Sequence, residues 1–300
     1  MSDSRPSHDH HSTGNLKVAF FLNLAFTILE IVGGLWTNSI AILTDAVHDL
    51  GDSVSLGLAW YFDKFSERSR TARHTYGFRR YRLLGGLVTG VVLLAGLGFV
   101  LSSAIGRLRS PEPVEATGMM ALAVVGILLN GAAVLRVRRG SSLTEKIVSW
   151  HLVEDTLGWV AVLIGAAIMA VWDLPIIDPL LSIGISVVIL WNVARNLKQV
   201  FLVFLQASPE GFDPAAFEKN AAVISGVASL HHIHSWSIDG EHHVLSAHVV
   251  LADAEADPSR VKEAIRNLLP PGEFEHVTIE IEQADETCGA DRVESDSQPS

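Results

Sequence analysis

The chain has 300 residues, 49% of them hydrophobic and 18% charged, with a formal net charge of −11. Its mean hydropathy of +0.33 argues against an ordinary soluble domain and indicates an integral membrane protein. A single cysteine, Cys288, excludes an internal disulfide, and no arginine-rich or aromatic-interleaved face points to nucleic acid.

Residues 1–15 form a polar tail carrying His8, His10 and His11, read as solvated, with weak metal capture as the alternative. The apolar run that follows is too long for the core of a signal peptide and ends in no small-x-small cleavage site, so it is read as an uncleaved first span. Six stretches within residues 16–205 reach the length of about 20 residues that crosses a ~30 Å hydrocarbon core. They lie near Leu16–Trp36, Ser39–Phe62, Leu83–Arg107, Thr117–Val137, Ile147–Trp172 and Ile177–Leu197. Basic residues crowd the connection after the second span (Lys64, Arg68, Arg70, Arg73, Arg79, Arg80, Arg82), and more follow the fourth (Arg136, Arg138, Arg139, Lys146) and the sixth (Arg195, Lys198). The opposite side carries only Arg107 and Arg109 beside Asp173 and Asp178. The positive-inside bias therefore places both termini in the cytoplasm.

Two of these spans carry the same motif. His48 and Asp52 in the second, and His151 and Asp155 in the fifth, each read His-x-x-x-Asp. A spacing of i, i+4 puts both side chains on one helix face about one turn apart. Ionisable groups inside a membrane are costly and face a partner, a cavity or an ion path. Because the second span descends and the fifth ascends, the pairs can meet antiparallel. Two imidazoles and two carboxylates then make a four-ligand set suited to tetrahedral Zn2+, with cobalt or nickel as alternatives. Asp45 shares the His48 face nearer the outer end and is read as a vestibule or supporting residue; Asp49 is assigned to neither role. Asn23, Glu30, Asn130 and Asn192 are read as helix-to-helix hydrogen bonders, with Glu30 also a candidate for lining the pathway. Gly85, Gly86, Gly90, Gly96 and Gly98 are read as permitting close helix packing.

After Leu205 the composition changes, and residues 206–284 read as a small α+β domain. Asp213 is a plausible N-cap for a helix over Pro214–Ser225. His231–Ile238 and Val244–Leu251 read as strands about an Asp239-Gly240 turn, Pro258–Leu269 as a helix, and Val277–Ile281 as a third strand. The order α-β-β-α-β implies helices on one face of a sheet. Six histidines (His231, His232, His234, His242, His243, His248) fall on the first two strands or beside them, so metal binding and plain solvation both stay open. Residues 285–300, acidic and poor in large apolar groups, are expected to be disordered, with Cys288 incidental.

These residues resemble the cation diffusion facilitator family. The resemblance rests on Leu43-Thr-Asp-Ala-Val-His-Asp-Leu-Gly-Asp52, Trp150-His-Leu-Val-Glu-Asp155, His74-Thr-Tyr-Gly-Phe-Arg-Arg80, the Asp178-Pro179 opening of the sixth span, and His231-His-Ile-His-Ser-Trp236. It covers roughly residues 16–283 and is nearest to bacterial zinc exporters of the branch shared with animal zinc transporters. It implies a bundle of six transmembrane helices with a C-terminal cytoplasmic ferredoxin-like domain, forming a homodimer in the lipid of the bacterial cytoplasmic membrane. It further implies exchange of cytoplasmic Zn2+ for H+ by alternating access, and a regulatory metal at His231, His248 and Glu280. There are two departures from the family pattern. Arg136–Lys146 contains no histidine, and Phe78 stands where a second imidazole would partner His74, so no metal is expected there.

Other classes are weaker. A membrane-anchored metal sensor would not need buried His-Asp pairs. An intramembrane metallohydrolase, the enzyme alternative, needs an open coordination position and a general base. No phosphate-binding loop, nucleophile elbow or His-Glu-x-x-His helix is present.

Overall fold

The computed structural model describes residues 9–66, 70–137, 143–253, 255–286 and 288. The expectations for His8, Arg68, Arg138, Arg139 and the acidic tail from residue 289 lie outside them, as do the side chains of His10 and His11. The described residues fall into two compact units, Met1–Phe65 with Leu84–Leu197, and Ser66–Leu83 with Lys198–Ser300.

The first unit is helical: α1 (Asp9–Thr37), α2 (Ile40–Ser66), α3 (Tyr81–Arg109), α4 (Ala116–Val137), α5 (Leu143–Trp172) and α6 (Ile177–Phe204). Among the described residues, five helices are long and apolar enough to cross a membrane: α1, α3, α4, α5 and α6. Asp45, Asp49 and Asp52 interrupt the apolar run of α2 and keep it out of that group. Apolar exteriors and small inner contacts shape the bundle. Leu22, Phe99, Trp172 and Trp191 are exposed, whereas Trp159 of α5 is buried with Ile42, Met119 and Val162. Gly126 allows this, since a Cβ there would lie 2.3 Å from the Trp159 ring. On α3, Gly96 takes Val47 and Gly90 takes Leu197 at distances that exclude a side chain, but Gly98 meets open space and is no packing residue.

The turn from α1 to α2 is held from three sides. Asn38 adopts a left-handed φ of 55°, and Arg107 on α3 donates to both its backbone and side-chain oxygens. Helix α2 then begins with its orphan N–H groups accounted for. Ser39 Oγ accepts from Ile42, while the Asp178 carboxylate of α6 accepts from the backbone of Ile40 (2.8 Å) and Ala41 (3.2 Å) and from Ser39 Oγ (2.6 Å). A turn further on, Thr44 and Ser182 hydroxyls meet at 2.7 Å. A buried anion at a helix N-terminus also suits the helix dipole. The Asp-Pro opening of the sixth span thus has a structural task that its sequence did not disclose.

The second unit has α7 (Pro214–Ala221), β1 (Val227–Ser237), β2 (His243–Leu251), α8 (Pro258–Arg266) and β3 (Phe274–Glu282). Asp213 caps α7 as the sequence suggests, accepting from Ala215, and Asp257 caps α8 likewise, accepting from Ser259; Pro214 and Pro258 stand in the first turns, where a missing N–H costs nothing. Strand β2 lies between antiparallel β1 and parallel β3. Leu245, Val249 and Leu251 of β2 and Ile279 of β3 point to the core with Phe217, Val261 and Ile265 of the helices. By the period of two, His248, Glu280 and Glu282 point to the other face. The connection between α2 and α3 packs with this unit. Arg70 and Arg79 both pair with Glu275 on β3, and Tyr76 meets the His276 ring edge-on.

Candidate metal centre

The i, i+4 pairs on α2 and α5 face each other and close into a ring. His151 Nε2 lies 2.8 Å from Asp52 Oδ2, and His48 Nε2 lies 3.8 Å from the same oxygen. Asp155 straddles the two imidazoles, Oδ1 at 3.6 Å from His48 Nε2 and Oδ2 at 3.8 Å from His151 Nε2. The rings sit 5.5 Å apart, edge to face. One donor atom from each of His48, Asp52 and His151 falls within 4.8 Å of the others. Zinc bonds of about 2.0–2.1 Å place tetrahedral donors about 3.3 Å apart. Asp155 approaches both imidazoles but does not fall within that group of three. Each helix supplies one nitrogen and one oxygen, so a bound ion would cross-link α2 to α5. His48 Nδ1 is buried and without a hydrogen-bond partner among the described residues.

The neighbouring polar groups divide. Asp45 is buried and faces α5, where a Cβ on Gly158 would lie 3.9 Å from its Oδ1; it flanks the ring without joining it. Asn23 donates to the Asp49 carbonyl (2.9 Å) and to Ser53 Oγ (3.0 Å), the helix-to-helix role read for it. Glu30 behaves differently: it is wholly buried and neither carboxylate oxygen has a hydrogen-bond partner among the described residues. His74 lies with its ring 4.5 Å from that of Phe78.

A second cluster lies on the helix-free face of the sheet. Strand register sets His231 beside His248, and His248 beside Glu280. Glu280 reaches His248 Nε2 at 3.3 Å but is mostly exposed. The carboxylate between the imidazoles is Glu282, two residues on and on the same face, 2.7 Å from His248 Nδ1 and 3.1 Å from His231 Nε2. The latter approach lacks hydrogen-bond geometry, so His231 Nε2 has no hydrogen-bond partner among the described residues. Cys288 is not incidental: it is buried, with Sγ 3.4 Å from His248 Nδ1. Donor atoms of His231, His248, Glu282 and Cys288 all lie within 4.8 Å of one another. Burial works to raise the Glu282 carboxyl, yet hydrogen bonds from His248 and Cys288 and the charge of His231 outweigh it and hold the group below the ordinary range. The rule of alternation could have found Glu282; nothing local in the sequence marks Cys288.

Comparison with known proteins follows the same division. Residues 16–205 match the cation efflux transmembrane domain, and residues 209–284 match the cation efflux protein cytoplasmic domain. The chain is 32% identical over 288 residues to the zinc transporter ZitB of Escherichia coli (strain K12), covering 92% of each. It is 32% identical over 287 residues to the metal cation efflux system protein CzcD of Cupriavidus metallidurans, covering 93% of this chain and 90% of that one. A Bacillus subtilis protein named cadmium, cobalt and zinc/H(+)-K(+) antiporter is 27% identical over 284 residues, covering 92% and 91%.

Proposed function

The chain belongs to the cation efflux family, and from that membership we propose that it exports Zn2+ from the cytoplasm in exchange for protons, at the ring formed by His48, Asp52, His151 and Asp155. The observation that carries this reading is the closure of two distant His-x-x-x-Asp pairs into one mixed nitrogen–oxygen ring between α2 and α5. The residue types suit exchange. Metal binding needs neutral imidazole and ionised carboxylate, so protons and zinc compete for the same atoms. Two carboxylates balance the charge of Zn2+, and protons on the ring balance it when empty. Alternating access would expose the ring to one side at a time.

In this reading α2 also spans the membrane and brings the spans to six, its aspartates turned away from lipid. The arginine-rich connections and both termini face the cytoplasm of a bacterial inner membrane. The transmembrane part is 16–205 and a ferredoxin-like cytoplasmic domain spans 206–284. That domain dimerises the chain and takes a regulatory metal at His231 and His248, with Glu282 and Cys288 nearer to hand than Glu280. Names of the relatives support zinc, proton exchange and efflux, and transport rather than an enzymatic role. Reconstituting the purified protein in proteoliposomes tests the whole reading: zinc flux should follow an imposed pH gradient. Tight zinc binding without flux would instead favour a membrane-anchored sensor.

Two results are expected in the same vesicles. Replacing His231 and His248 together with alanine should shift the metal dependence of flux or the stability of the dimer while leaving flux measurable; its complete loss in a folded protein would contradict a regulatory role. His48→Asp should let cadmium compete with zinc, because oxygen replaces a short, directional nitrogen bond and admits larger ions in more than one coordination mode. An unchanged ratio of zinc to cadmium flux would place selectivity elsewhere.

A further inference from the structure

A polar seam runs along the contact of α1 with α2, beside the ring. Asn23 bonds to the Asp49 carbonyl and to Ser53 Oγ; Thr27 Oγ1 donates to the Asn23 carbonyl and lies 3.5 Å from Ser53 Oγ. The seam ends one turn on, at Glu30. Asn23, Thr27 and Ser53 have partners, but Glu30, at 0% exposure, has none for either oxygen among the described residues. Nor do the charges bearing on it most strongly relieve it. They are the carboxylates of Asp49 and Asp45 from α2 and of Asp155 from α5. Of these, Asp49 bears on it most. Two ionised carboxylates have no donor between them, so a bond could form there only when one of them holds a proton.

An ionised carboxylate buried without a partner is prohibitively costly, and like charges nearby add to the cost. The group persists only with a cation of its own. A divalent ion is a poor fit, because among the described residues Glu30, Asp45 and Asp49 do not gather as a ligand cluster as His48, Asp52 and His151 do. A proton needs only one oxygen. We propose that Glu30 carries a proton of the exchange, at a site separate from the metal ring. This rests on the proton-exchange reading above. The coupling is electrostatic. With the ring empty, the negative field of Asp155 and its neighbours keeps the proton on Glu30. Zn2+ in the ring cancels that field, the O–H bond breaks heterolytically, and the proton leaves toward the side on which zinc has bound. When zinc departs on the other side, a proton from that side rebinds to the Glu30 carboxylate. Asn23, Thr27 and Ser53 are the polar seam along which it would pass.

The test compares wild type, Glu30→Gln and Glu30→Asp, each full-length and reconstituted in proteoliposomes. Zinc and proton movements are read in parallel by a zinc indicator and a pH dye, and zinc bound at equilibrium is titrated in detergent. Glutamine imitates the protonated acid permanently. It should leave the bound zinc equivalents unchanged but lower the protons moved per zinc by about one, the single group removed. Aspartate keeps a carboxyl and should restore the wild-type ratio, which a merely structural role would not require. An unchanged proton-to-zinc ratio in Glu30→Gln would overturn the proposal. Loss of a zinc equivalent in that variant would also overturn it, since Glu30 would then hold metal. Zinc flux without proton movement in the wild type would overturn the exchange reading and this role together, and the wild-type trace alone distinguishes that case.

Discussion

Alanine at any one of His48, Asp52, His151 or Asp155 is expected to abolish zinc flux in proteoliposomes while the protein remains folded. Each side chain serves the ring from both directions: Asp52 touches both imidazoles, and Asp155 holds one with each oxygen. Removing one donor leaves three, and it also alters the charge that the ring must exchange against two positive charges. Loss of residues that merely support metal ligands costs about 10–100-fold in affinity or activity. Loss of a ligand should cost at least about 100-fold on the same scale. Folding should be spared, because His48, Asp52 and His151 are only partly buried and the core around Trp159 does not include them. The measurement is zinc uptake beside size-exclusion profiles of the same preparations. Normal flux in two or more of the four variants would remove the ring from the transport path.

Asp178→Ala is expected to damage both stability and transport, although Asp178 is no part of the ring. Its carboxylate satisfies the N–H groups of Ile40 and Ala41 and the hydroxyl of Ser39, in a position with 0% exposure. Hydrogen bonds to a charged group contribute about 1.5–3 kcal/mol each. Losing all three strands buried donors at the start of α2, and a cost of about 3–5 kcal/mol is expected, as for breaking other buried charged networks. The effect should reach the ring because α2 carries His48 and Asp52 two to three turns below the clamp. Thermal unfolding in detergent should show a lowered midpoint, and flux should fall by more than zinc affinity does, since the ligands are intact and only their placement is loosened. Asp178→Asn keeps one acceptor and should lie between alanine and wild type. A midpoint unchanged in Asp178→Ala would show that water or the backbone replaces the clamp.

Much of this architecture was legible in the residues themselves. The two i, i+4 pairs, the apolar helices, the Asp213 cap and the succession of helices and strands along residues 206–284 are consequences of local periodicity and capping, which the backbone imposes over a few residues whatever lies beyond them. Those rules put His48 and Asp52 on one face and His151 and Asp155 on another. Only packing decided that Asp155 straddles both imidazoles while Asp45 flanks them, since that depends on the rotation of α2 against α5. Three further features were set by contacts between residues far apart in the chain. Asp178 clamps a helix start 138 residues earlier. Glu282 rather than Glu280 stands between His231 and His248, because two same-face positions on a strand are equivalent until the neighbouring side chains are placed. Glu30 has no hydrogen-bond partner among the described residues, where Asn23, two turns before it, finds two. A side chain's local spacing says which way it points; what it meets there is decided by the register of elements that the local pattern does not encode.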